Sequence, residues 1–86
     1  MIINIQVPND LQRSLVEIVA ILNTSQPNYV STLDFLKNGI LSPAAGIARL
    51  KRNGVIIETV YQTMTDSSGR IRKKIACYRI VGVAVL

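Results

Sequence analysis

Groups that move protons or hold metals are scarce in this 86-residue chain: it has no histidine, a single cysteine at position 77, and five carboxylates at positions 10, 17, 34, 58 and 66. No spacing among the five puts two acids on one helix face, as a general acid and base pair requires. Zinc and non-haem iron sites lack their usual ligands. Cys77 has Lys74 and Arg79 close in sequence, and nearby cations lower a thiol pKa, but a lone cysteine in an expected strand is more often a small packing residue. Asp66, Ser67, Ser68 and Gly69 offer one acid and two hydroxyls, too few for a calcium shell, so a turn is expected there. These residues describe a protein that is not an enzyme and needs no metal or cofactor.

Cations are what the chain has in quantity. Its net charge of +5 is divided unevenly: residues 1–36 hold Arg13 against Asp10, Glu17 and Asp34, whereas residues 37–86 hold nine Lys or Arg against Glu58 and Asp66. Seven of the nine fall in two groups, Arg49, Lys51 and Arg52, then Arg70, Arg72, Lys73 and Lys74. A basic half of this kind is the electrostatic footprint of a polyanion binder. Tyr29, Phe35, Tyr61 and Tyr78 are too dispersed to form the stacking platform that single strands use, which favours double-stranded DNA over RNA.

The elements that must position these cations can be read in order. Ile2–Val7 is rich in β-branched residues and Pro8 stops it, which predicts a short N-terminal strand. Leu11, Leu15, Ile18, Val19 and Leu22 have the period of a helix with one buried stripe, expected over about 10–22, and Val16, Ala20 and Ile21 are expected to widen that stripe. Asn23–Asn28 reads as a loop. Ser31 with Asp34 three residues later starts a second helix, about 32–38, with Leu33 and either Leu36 or Phe35 facing inward and Gly39 at its end. Ser42 as cap and Pro43 at the first position start a third helix after only three linking residues, and Gly54 closes it, giving about 43–53. Ile47 and Leu50, with Ala44 a turn earlier, are expected inside. So short a link forces the helices to cross steeply, as in a helix-turn-helix. Strands over about 55–64 and 71–80, joined by the polar turn TDSSGR, should form a β-hairpin.

Helix, helix, turn, helix, hairpin is the order of an α+β winged helix-turn-helix fold: three helices, a C-terminal β-hairpin wing and a short N-terminal strand, in a single domain over 1–86. Ser31–Ile80 also resembles the small winged helix-turn-helix proteins of bacteriophages and prophages. STLDFLKNGILSP across the turn, AGIARLKRNG through the third helix, VIIET entering the wing and ACYRI on the return strand carry the likeness. The resemblance implies the fold and a DNA-binding role. It also shows one departure, since a basic residue often precedes the isoleucine of the third helix and here Gly46 stands there.

The expected DNA-binding residues are Ser42, Ala45, Gly46, Arg49, Lys51 and Arg52 on the third helix, which enters the major groove, and Arg70, Arg72, Lys73 and Lys74 on the wing, which follows the backbone. Lys51 is expected along the edge of the core with its amine free. Only Arg49 among the exposed front residues can make a bidentate contact to guanine. The expected function is regulation of phage or prophage transcription. The alternative is a phage-encoded winged-helix module that binds a host protein through its apolar termini. Those termini, residues 2–7 and 81–86, are also the expected faces of a homodimer. No run reaches the length of a membrane span and the first ten residues lack the marks of a signal peptide, which gives a cytoplasmic expectation, in a bacterial host.

Overall fold

Leu15, Ile18, Val19 and Leu22 recur at helical spacing, and in the computed structural model, which describes the backbone of residues 9–84 and the side chains of residues 14–84, they line the buried side of the first helix. The elements run α1 (Asn9–Ser25), β1 (Val30–Ser31), α2 (Thr32–Lys37), α3 (Pro43–Arg52), β2 (Val55–Thr65) and β3 (Ile71–Val83). The strands form one antiparallel sheet in the order β1-β3-β2. This is the expected α+β architecture of three helices with a hairpin wing. Its third strand, however, is the two-residue β1, too short to leave a period in the sequence. The N-terminal strand expected over 2–7 lies outside the described residues.

Helix α1 packs against α3 and the sheet on one side only. Val16 is 57% exposed and Ala20 is also open, so neither widens the buried stripe as expected; Ile21 alone is partly buried against the core. The helix continues to Ser25, past the expected end at Leu22, with Thr24 Oγ1 donating to the carbonyl of Ala20 at 2.8 Å. Pro27, without an N–H, cannot extend it.

Ser31 joins two elements. Its backbone pairs with Cys77 in the sheet. With its backbone extended at φ −79° and ψ 158°, its side chain accepts from the N–H of Asp34 at 3.0 Å and so caps α2. Thr32 Oγ1 then donates to the carbonyl of Ala76 at 2.8 Å. Of the three inward candidates on α2 it is Phe35 that is fully buried, its ring centroid 6.2 Å from that of Tyr78, while Leu36 is 42% exposed and Leu33 half-buried. Gly39 takes φ +83°, a conformation glycine adopts without Cβ strain, and lets the chain turn into α3.

The buried side of α3 is Pro43, Gly46, Ile47 and Leu50. Ala44, expected inside, is exposed, and Gly46, expected outside, is packed against α1. A Cβ on Gly46 would fall well inside van der Waals contact of Ile18 Cδ1 and 3.7 Å from Leu15 Cδ2. The missing side chain is what lets the two helices approach. The core is completed by Val30, Ile40, Val55, Ile57, Tyr78 and Ile80.

The hairpin is longer than expected on its return side. β3 runs on through Val81–Val83, so part of the apolar tail extends the wing's own strand, with Val55 opposite Val83 and Ile56 opposite Gly82. Register shifts between Ile56 and Ile57 and between Gln62 and Met64 place an extra residue of β3 at two points, bulges that bend and twist the ribbon.

Two outcomes follow from this packing. Leu50 is fully buried, so Leu50→Ala should lower unfolding free energy by about 2–5 kcal/mol in urea titration. Gly46→Ala should change it by no more than about 1 kcal/mol, because the atom displaced is the end of a flexible side chain and alanine gains helix propensity. Gly46→Val should cost about 1–3 kcal/mol by overpacking, and a cycle with Ile18→Ala should show coupling of at least about 0.5 kcal/mol.

Candidate nucleic-acid interface

Taken at about 100° per residue, the solvent-facing residues of α3 occupy one continuous arc: Ala44, Ala45, Ala48, Lys51 and Arg52 are exposed and Arg49 is half-buried at its edge. The cations are confined to the last turn, where positive charge complements the carbonyl end of the helix. Arg49 Nε is buried without a hydrogen-bond partner, so its guanidinium can meet an anion only through the terminal nitrogens. Lys51 is exposed.

At the other end, Ser42 is exposed but does not cap. Its ψ of 67°, against 158° at Ser31, does not bring the hydroxyl onto the first-turn N–H groups, and only its carbonyl is used, accepting from the N–H of Gly46 at 3.3 Å. Gly46 itself is removed from the expected contact set, since it is buried between α3 and Ile18.

On the wing, the turn is built around Asp66. Its Oδ1 accepts from the N–H of Ser68 at 2.9 Å, the hydroxyl of Ser68 at 2.6 Å and the N–H of Arg70 at 3.0 Å, while Oδ2 pairs with Arg72 Nε at 2.9 Å. The Ser68 hydroxyl, the Arg72 guanidinium and the two N–H groups hold this carboxyl well below the usual carboxylate range. Gly69 supplies the positive φ of the turn. Arg70, Lys73 and Lys74 are exposed and carry no ion pair among the described residues; Arg72 is exposed but half-committed to Asp66. Lys74 has φ +57°, a left-handed conformation that glycine adopts more readily, at the second bulge.

Arg79 belongs to neither cluster. Its terminal nitrogen meets both oxygens of Glu58 at 2.6 and 3.0 Å, its guanidinium lies 5.0 Å from the centre of the Tyr29 ring, and Tyr29 donates to Glu58. That bond lowers the Glu58 pKa and raises that of the Tyr29 phenol. Cys77 is buried, with its thiol donating to the carbonyl of Ile75 at 3.5 Å. Burial, reinforced by the Asp34 carboxylate, pushes this thiol up, against the lowering that its basic sequence neighbours suggested. Among the described residues no group of three or more His, Cys, Asp or Glu could hold a metal, and no helix is long and apolar enough to cross a membrane.

The two basic groups are not brought into one cluster. β2 starts directly after α3, and its 11 residues at about 3.3 Å each carry the wing tip on the order of 30 Å away, along a molecule 42 Å in its longest dimension. Sequence reading missed the exposed Ala44 and Ala48 and the 83% exposed Leu41. The signal was present as the spacing of Pro43, Gly46, Ile47 and Leu50, a buried stripe that leaves every alanine outside.

Two helices crossing at a glycine turn, the second carrying cations outward, with a basic hairpin behind them, define a helix-turn-helix protein with a wing. The family model described as Winged helix-turn-helix domain matches residues 16–83, and the chain belongs to that family. Membership points to double-stranded DNA as the ligand. No curated protein and no solved structure matches the chain.

Asp66→Ala should loosen the wing tip without unfolding the core, seen as faster amide exchange at Ser68 and Arg70 and unchanged exchange at Leu50. The same contribution depends on pH. Because the folded carboxyl titrates lower than the unfolded one, the tip should be fully ordered above the unfolded carboxylate value of about 4 and lose protection as pH falls below it.

Proposed function

We propose that the protein binds double-stranded DNA with α3 in the major groove and the wing tip on the phosphate backbone, as a transcriptional regulator of phage or prophage origin. The observation that carries this reading is that six cations of α3 and the wing, Arg49, Lys51, Arg52, Arg70, Lys73 and Lys74, have no ion pair among the described residues. The other cations of the sheet, Arg72 and Arg79, are paired with Asp66 and Glu58. Their separation into two groups about 30 Å apart suits a duplex, whose helical repeat is about 34 Å. The likeness of Ser31–Ile80 to small phage proteins supports the regulatory part, and the cytoplasm is where such a regulator would act.

A homodimer through residues 2–7 and 81–86 belongs to the same proposal. Val81 and Val83 are exposed, so the described part of that surface is open to a second copy. Two copies would present two α3 helices to one duplex and add specificity that a single helix with small front residues lacks. The protein-binding alternative has no observation that favours it over DNA.

The test is titration of unrelated duplexes across salt concentrations. With about four to six phosphates neutralised, log affinity should fall with log salt at a slope of about −4 to −5. A slope near zero would sink the reading. Lys73→Ala with Lys74→Ala should weaken every duplex alike, whereas Arg49→Ala should in addition relax the preference for guanine at the one position Arg49 meets.

A further inference from the structure

The solvent-facing side of α3 divides along its length. Its first six residues present only methyl groups, those of Ala44, Ala45 and Ala48, and every charged side chain lies at Arg49 or beyond. Leu41, in the turn just ahead, is the most exposed large apolar side chain among the described residues, at 83%. Gly46 and Ile47, between the alanines in sequence, are buried and contribute nothing to this surface. Apart from the Ser42 hydroxyl, the front half of the helix therefore has no side-chain donor or acceptor to offer a base edge.

If this half enters the major groove, as the proposed function requires, hydrogen bonding cannot be its means of discrimination. The major-groove edge of a base pair has one apolar feature, the 5-methyl of thymine. Alanine side chains end at Cβ, so the helix backbone can approach until Cβ methyls and thymine methyls are in contact. Anchoring by cations at the far end of the same helix leaves the front free to be placed by shape. We propose that α3 reads thymine methyl groups, with Ala44, Ala45, Ala48 and Leu41 as the specificity-determining residues, giving a preference for thymine-bearing steps in the groove that faces the helix.

The experiment uses the whole chain. Duplexes are selected from a randomised pool, and the preferred one is resynthesised with deoxyuridine replacing thymidine one position at a time, which removes the methyl and leaves pairing and phosphates as they were. Each substitution under α3 should weaken binding roughly fourfold, the worth of one buried methylene, while substitutions outside the helix footprint should have no effect. In Ala48→Gly the penalty at one position should vanish, a result that altered duplex shape would not give. Duplexes bound equally well with thymine or uracil throughout overturn the methyl reading and leave DNA binding standing. A chain that binds no duplex at low salt overturns both.

Discussion

The contact between Gly46 and Ile18 sets the rotation of α3 about its own axis. With no Cβ at position 46, the Ile18 side chain occupies the space against the helix backbone, and Pro43, Ile47 and Leu50 turn inward on either side of it. Everything the helix shows to solvent follows. Were the helix turned to bury Ala44, as its spacing from Ile47 first suggests, Gly46 would come outward and Arg49 would move with it. The same glycine that weakens the helix intrinsically, by up to about 1 kcal/mol against alanine, therefore decides which residues are available to a ligand.

Electrostatics then select among the cations. A surface Arg or Lys near a carboxylate is partly neutralised before any partner arrives, and among the described residues such pairs stand at two places, Asp66 beside Arg72 and Glu58 beside Arg79. The pair at Asp66 organises the turn that carries the free cations Arg70 and Lys73. The pair at Glu58, with Tyr29, fastens the loop after α1 to the sheet. Exposed pairs of this kind add little to overall stability; what they fix is the position of a loop or a tip.

Much of the fold was legible because it is written in strong local signals. The stripe of α1, the Ser31 cap with Asp34, Gly39 and Gly54 at helix ends, and TDSSGR between two β-rich runs all describe the element found at that place. The failures share a cause. Pro43 reads as the start of α3 and Gly46 as part of its exposed front, so neither counts as packing surface, which puts Ala44 inside and Gly46 among the contact residues. Ser42 has the residue type of a cap but not the backbone angle, and angle is invisible in sequence. Leu36 and Phe35 are adjacent on a six-residue helix, too short for a period to choose between them. Strand β1 exists only because β3 lies beside it. The charged residues of the candidate interface were legible as types, whereas the pairing of Arg72 depends on a turn geometry that composition does not carry.

The double role of Ser31 has a consequence for how the molecule comes into being on the ribosome. The cap of α2 is seated in the sheet by a backbone pairing with Cys77, and Thr32 is held by the carbonyl of Ala76, partners that are synthesised more than forty residues later. A six-residue helix has almost no stability of its own. The nascent chain can thus form α1 early, but its second helix, and the turn that aims the third, must wait until the return strand of the hairpin has emerged. The helix-turn-helix, though contiguous in sequence, therefore depends for its α2 end on a strand that lies more than forty residues further along the chain.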